Sequence, residues 1–429
     1  MSFDSKKCLY IFVTIQLTLS CGIFGSDESD FPFKATVVSA VEVVFELSAK
    51  QGDEITIEQN NNELTTFRLS GSDTLVSATN LQPSTSYRFK ATNQSTGATS
   101  KVVEATTLDT TSSNFTWQTF SFGEHSSSVL YGVSIIDENN IWTVGEIYMN
   151  DSTGQTDDDR YNAVHWNGNE WTLERVSVQF RDRIITPMLN DIFAFSSTDI
   201  WLSSGVPIHG NGVNWTQYHL FDMGILNNSD GGIESIWGKN SESMYFGGAL
   251  GSFAHYDGEN WQKIETNTAL DFYDTYGNPE QGVVAVAAKQ SESSDKAILR
   301  IKDKLVTEPL PTAPIPFSIS GIWFDSSGVT YVVGSRISIK PNIDAIAPWK
   351  IVSKETIDHP YLFSIAANGL NDIVTAGGFG ELFHFNGAQW TLYNQNITGN
   401  LYDVDIEQDI VVAVGYDGRS AFITIGKRE

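Results

Sequence analysis

A unit of four short strand-like pieces recurs along most of this chain, and that recurrence leaves few folds open. The clearest copy runs from Ile233 to Glu265, where IESIW, MYFGG, SFAHYD and WQKIE are separated by turn formers at Gly238–Asn240, Ala249–Gly251 and Asp257–Asn260. Each piece is rich in aromatic or β-branched side chains, which suits pleated, half-buried strands. A lone four-stranded sheet of this kind has two apolar faces and two open edges, so it needs neighbours.

The neighbours are copies. The second strand recurs as NIWTVG to Gly145, DIWLSSG to Gly205, SMYFGG to Gly247, VVAVAA near Ala287, TYVVG to Gly334, DIVTAGG to Gly377 and IVVAVG to Gly415, at spacings of 60, 42, 40, 47, 43 and 38 residues. Periods near 40–45 with four strands apiece are those of β-propeller blades. Fourth strands follow six of the seven copies, around Trp171, Trp215, Trp261, Leu305, Trp349 and Trp390, while the last copy ends at SAFITIGKRE without one. The segment FTWQTFSF around Trp117 has the outer-strand pattern but precedes the first copy. The expectation is therefore a seven-bladed propeller over 115–429, closed by the strand around Trp117.

Before the repeats, six or seven short strand candidates between Phe31 and Leu108, in runs that begin with VVSAVEVVFELSA, predict a small antiparallel sandwich. The stretch Leu81-Gln82-Pro83-Ser84-Thr85-Ser86-Tyr87 and the closing Ala105-Thr106-Thr107-Leu108 resemble the tyrosine corner and last strand of fibronectin type III domains. Phe45 stands where that family has a core Trp. The resemblance implies a spacer module over 31–108, with 109–114 a polar linker.

Residues 1–21 have the parts of a secretory signal: Lys6 and Lys7, an apolar run from Cys8 to Leu19, and the ending Leu-Thr-Leu-Ser-Cys. That ending resembles a bacterial lipobox, which implies lipid attachment at Cys21 and a place in the cell envelope, at the outer membrane or cell surface. Residues 22–30, GIFGSDESD, read as a flexible acidic tether. With its two cysteines at positions 8 and 21, a chain cut before Cys21 has no pair left for a disulfide.

A net charge of −26 argues against nucleic-acid binding, which needs a basic face. Four further pieces, Ser235-Ile236-Trp237-Gly238, His255-Tyr256-Asp257-Gly258 with Trp261, and the related His165-Trp166-Asn167-Gly168 and His384-Phe385-Asn386-Gly387, resemble bacterial propeller repeats of the form I-W-G followed by H-Y-D-G-x-x-W, distinct from WD40 repeats. That resemblance implies a surface or periplasmic propeller and no particular activity. His165, His255 and His384 share one repeat position, so they read as structural and not as a metal cluster. The patterns of a P-loop, of zinc ligands and of a nucleophile elbow are absent, so no catalytic residue stands out.

Binding residues are expected in insertions, since long loops on a rigid scaffold carry function. Three stand out: Glu146–Asn162, Val178–Pro187 and Arg336–Pro348, the first and third read as connections between second and third strands. Such connections and blade-to-blade links leave a propeller on one face. Arg160, Tyr161, Arg181, Arg183 and Arg336 are the candidate ligand residues there. Asp151, Asp157, Asp158 and Asp159 are candidate calcium ligands, with a solvated acidic loop as the simpler reading. The function expected is a non-catalytic, monomeric binding protein for a glycan or a surface protein. A carbohydrate-active enzyme with carboxylates at the channel mouth, or a structural component of the envelope, are the alternatives.

Overall fold

The computed structural model describes residues 32–156, 159–279, 281–289, 295–307, 309–344, 348–352, 357–358 and 361–429. The leader, the tether, Cys21, Asp157 and Asp158 lie outside them. The described residues contain strands, turns and one short 3-10 turn, with no α-helix. No helix among them is long and apolar enough to cross a membrane.

The N-terminal unit is a sandwich of a three-stranded and a four-stranded sheet. Strands Phe33–Val38, Glu42–Ser48 and Asp73–Thr79 form the first; Asn62–Arg68, Glu54–Gln59, Ser86–Asn93 and Val103–Thr106 form the second, in that spatial order. The count is seven, because within VVSAVEVVFELSA Ser39 Oγ accepts the N–H groups of Val41 and Glu42 and turns the chain between two strands. Phe45 is fully buried between Phe33 and Phe89, at ring distances of 4.6 and 4.7 Å. Burying a ring of this size contributes about 1.5–3 kcal/mol. Tyr87 Oη accepts the Gln82 N–H at 2.8 Å, which fixes the turn before the sixth strand.

The linker does not hang free. Thr111 donates to the Asn371 carbonyl at 2.6 Å, and Ser113 Oγ meets His384 Nδ1 at 2.9 Å. Val37 and Val44 of the sandwich share a buried cluster with Trp323, Tyr331 and Val333.

From Phe115 onward the described residues form seven four-stranded antiparallel sheets and one extra hairpin. Six sheets are consecutive meanders that begin at Val129, Asp191, Ile233, Asp271, Ile319 and Leu362. In the seventh, Leu401–Glu407, Ile410–Tyr416 and Ala421–Arg428 are completed by Phe115–Phe122, paired along its whole length with the third strand. First strands touch from sheet to sheet in order, and Leu401–Glu407 returns to Val129–Asp137.

The buried faces explain the period. The start of each first strand is marked by a fully or almost fully buried apolar residue, within its first two positions or, for Leu189, two places before it: Leu130, Leu189, Ile233, Phe272, Ile319, Leu362 and Leu401. Second strands such as Ile141–Val144 and Val411–Val414 are buried on both faces, because each sheet is covered by its neighbours. The four related third-strand histidines, His165, His209, His255 and His384, lie against Trp142, Trp201, Tyr245 and Phe115 respectively. Their Nε2 atoms reach the opening residues of the second strands: Asn140, Asp199, Ser243 and Asp372. The histidines thus pin adjacent strands, and His209 joins the three singled out by sequence.

One insertion is placed differently from its expectation. Ser338–Lys340 is itself the third strand of the fifth sheet, paired with Thr330–Val332. The connection before it is only 335–337, so the rest of Arg336–Pro348 leads to the fourth strand at the opposite end of the sheet. Arg336 keeps its position on the loop-bearing face; Pro341 and Pro348 do not.

Candidate functional site

The ring is tied together around its axis by one repeated position, two residues beyond the buried residue that opens each first strand. It is occupied by Gly132, Asp191, Ser235, Asp274, Gly321, Ser364 and Asp403. Three aspartates each accept a backbone N–H of the next sheet: Asp191 from Ile236 at 2.8 Å, Asp274 from Ile322 at 2.8 Å and Asp403 from Val133 at 2.9 Å. Ser235 Oγ meets Thr275 Oγ1 at 2.9 Å, and Ser364 donates to Asp403 at 2.6 Å. The other two seams have glycine where the next sheet comes close: a Cβ on Gly132 would stand 3.1 Å from Asp191 Cα, and one on Gly321 3.3 Å from Ile365 Cγ2 and 3.4 Å from the Phe363 carbonyl oxygen. Asp405 adds a bond from Ile135 N–H at 2.8 Å.

Asp191, Asp274, Asp403 and Asp405 are all half-buried. Burial pushes Asp274 and Asp405 up to about 7 and raises Asp191 and Asp403 as well, with a smaller contribution from Asp403 to the other three. No basic side chain contributes to any of the four.

The residue just before this position faces the channel mouth. Tyr131 lies 5.6 Å from Tyr402, Tyr402 lies 5.2 Å from Phe363, and Phe363 lies 5.1 Å from Tyr361. All four rings are half-buried. Tyr273 continues the arc; burial first, then Asp271, Glu234 and Tyr361, push its hydroxyl up to about 12. Glu234 is raised by burial and by Asp271.

Around this mouth the loop-bearing face displays apolar side chains. Ile184, Met223, Leu250, Phe317 and Phe379 are 50–72% exposed, and all lie in blade-to-blade links or in connections between second and third strands. Leu250, Phe317 and Phe379 have φ of 53°, 57° and 56°. A bulky side chain in the left-handed region costs roughly 1–3 kcal/mol, and such residues cluster at functional sites.

The residues expected from sequence are distributed across this same face. Arg160 donates to Glu146 at 3.1 Å and to Tyr148 Oη at 3.0 Å, so its charge is neutralised locally. Tyr161 is half-buried beneath the Arg175 guanidinium, 3.9 Å from its ring centre. Arg181 and Arg183 are exposed on the hairpin Val178–Ile185, whose Phe180 packs 4.9 Å from His219 in the next link. Arg336 donates to the Ser335 carbonyl. Asp151 accepts from Thr153 and Gln155, bonds that shape its own loop and hold its carboxyl below the usual range. Among the described residues, no three His, Cys, Asp or Glu side chains converge as a metal site.

Sequence reasoning missed the channel aspartates, the tyrosine arc and the left-handed Leu and Phe residues. Only the first left a signal, the recurrence of Gly, Ser or Asp two places after a buried residue.

No family model and no curated protein matches this chain. Solved structures do. The structure described as YCF48 bound to D1 peptide is similar to 75% of this chain and over 100% of its own length, with a TM-score of 0.54 and 16% identity. The WD40 β-propeller domain of Doa1 covers 74% of this chain and 98% of its own, with a TM-score of 0.53 and 10% identity. YCF48 from Cyanidioschyzon merolae covers 73% and 98%, with a TM-score of 0.51 and 14% identity. At these identities the likeness gives the fold: an all-β protein whose larger part is a β-propeller.

Proposed function

We propose that this protein is a lipid-anchored, non-catalytic binding protein whose seven-bladed propeller holds a polypeptide partner on its loop-bearing face. The observation that carries this reading is the set of exposed Ile184, Met223, Leu250, Phe317 and Phe379 side chains on that one face, three of them in strained backbone. A solvated apolar side chain held at an energetic cost is what an interface anchor looks like before its partner arrives. The YCF48 structure with a bound peptide supports a polypeptide as the class of ligand. The seven sheets and their seven seams support the blade number, and the three-plus-four strand order with Tyr87 bonded to Gln82 supports a fibronectin type III-like spacer. Attachment at Cys21 places the assembly at the cell envelope; Cys21→Ser is expected to release it from the membrane fraction, read by fractionation. Catalysis is disfavoured because each channel carboxylate already accepts a backbone N–H.

The test is selection of displayed peptides on the full chain in detergent. Leu250→Ser, Phe317→Ser and Phe379→Ser are expected to weaken the selected peptides about tenfold each, about 1.4 kcal/mol. Val213→Ser is the control, since Val213 is 80% exposed in a turn of the opposite face. Equal loss in the control, or none in the three variants, would sink the proposal. Selective retention of a glycan in a parallel panel would favour the carbohydrate reading instead.

A further inference from the structure

We infer that the channel mouth is a subsite for one lysine or arginine side chain of the polypeptide partner, a deepening that rests on the proposed binding face. Two independent features meet there. The first is the aromatic arc of Tyr131, Tyr402, Phe363 and Tyr361, whose consecutive ring distances of 5.6, 5.2 and 5.1 Å leave a half-buried π surface around the opening, with Tyr273 near Tyr361. A guanidinium or ammonium is attracted to such faces, more strongly as water is excluded.

The second feature is uncompensated negative charge on the same axis. Glu234 and Asp271 flank Tyr273 at the mouth, and neither forms an ion pair among the described residues. Below them lie Asp191, Asp274, Asp403 and Asp405; burial raises all four carboxyls, Asp274 and Asp405 to about 7, so they deepen this field as pH rises through that value. Walls of low dielectric focus such a field toward the opening. The nearby Arg160 does not cancel it, because it is held by Glu146 and Tyr148. An aliphatic or acidic side chain would gain little at this position, whereas a long basic one reaches in while its stem lies against the rings.

The experiment measures saturation transfer from the full chain in detergent to four acetylated, amidated pentapeptides, Ala-Ala-X-Ala-Ala, with X arginine, lysine, norleucine or glutamate. The arginine and lysine peptides are expected to bind at least tenfold tighter than the other two, and less tightly as salt is raised. Tyr402→Leu and Glu234→Gln are each expected to weaken them about tenfold, while Val213→Ser, in a turn of the opposite face, leaves them unchanged. Equal binding of the norleucine peptide, or basic-peptide binding indifferent to both mouth variants, overturns the subsite. Glu234→Gln, a change at the half-buried rim, keeps the test valid if Tyr402→Leu does not fold. The two proposals fail separately: selected peptides that depend on Leu250 and Phe379 but show no basic residue sink only the subsite. Basic peptides held by Tyr402 and Glu234, with no effect of Leu250 or Phe379 on any peptide, sink only the apolar face.

Discussion

The two ends of the propeller use the same backbone conformation for opposite purposes. At the end carrying the third-to-fourth turns, Gly168, Gly212, Gly258 and Gly387 have φ of 90°, 82°, 94° and 95°. The residue before each, Asn167, Asn211, Asp257 or Asn386, accepts the N–H groups two and three places on. Glycine is used there because a Cβ would strike the neighbouring first-to-second turn: Asn139, the Ser197 carbonyl, Glu242 or Asn371. At the other end, Leu250, Phe317 and Phe379 take up positive φ with large side chains in solvent. Both ends hold non-glycine residues at positive φ, but those at the repetitive end, Asp303, Lys304 and Gln408, are polar, whereas the apolar ones lie at the irregular end. Repetition marks architecture, and apolar side chains held in strain mark the working surface.

Substitutions that exchange the two solutions test this contrast. Gly387→Val is expected to be the most damaging, at about 3 kcal/mol in denaturant unfolding, because it combines a φ of 95° with a Cβ only 2.7 Å from Asn371 Cβ and 2.9 Å from Ala40 Cβ. The reverse change, Phe379→Gly, is expected to leave stability unchanged or raise it by up to about 1 kcal/mol, while lowering affinity for selected peptides about tenfold. A loss of stability in Phe379→Gly comparable to that of Gly387→Val would erase the distinction.

A smaller effect sharpens the contrast through pH. The folded-state carboxyls of Asp274 and Asp405 are raised to about 7, above their unfolded value, so the folded ring holds more protons in between. Their contribution is fully present below the unfolded value near 4 and is lost as pH rises through about 7. The thermal midpoint is expected to be a few degrees higher at pH 5 than at pH 8. Asp274→Asn should flatten that slope while still accepting the Ile322 N–H. In the turn at the architectural end, Asp257 behaves oppositely: backbone N–H groups of Asn260 and Glu259 hold its carboxyl down to about 2, so its effect is confined to strong acid. A midpoint that rises from pH 5 to pH 8 would contradict the placement of the channel aspartates.

The sequence displayed the architectural end well and the working end poorly, for a physical reason. Turn glycines after Asn or Asp, buried aromatics and alternating strands must recur because each sheet meets the same neighbours, so period and pattern reveal them. The segment around Trp117 could be assigned to the last sheet by counting strands alone. A Phe or Leu in a loop, by contrast, reads the same in one sequence whether it is buried or solvated; Phe379 and the fully buried Phe253 differ only in three dimensions. Arg336–Pro348 was legible as an irregularity but not in register, since Ser338–Lys340 is too short and polar to signal a strand. The channel aspartates were hidden by chemistry, because a buried Asp satisfied by a neighbour's backbone looks like a surface Asp when only its identity is known.

The pairing of Phe115–Phe122 with Ala421–Arg428 also sets an order of events. Asn114 and Glu429, which hydrogen-bond beside that pairing, are 315 positions apart. During synthesis the earlier strand emerges long before its mate, so it passes that interval as an unmatched edge. Hairpins within each meander form locally, but the circle waits for its most distant contact, and such contacts slow folding. The interval before closure is therefore when this chain most needs shielding from itself, and its assembly clock stops only when the seventh sheet receives its fourth strand.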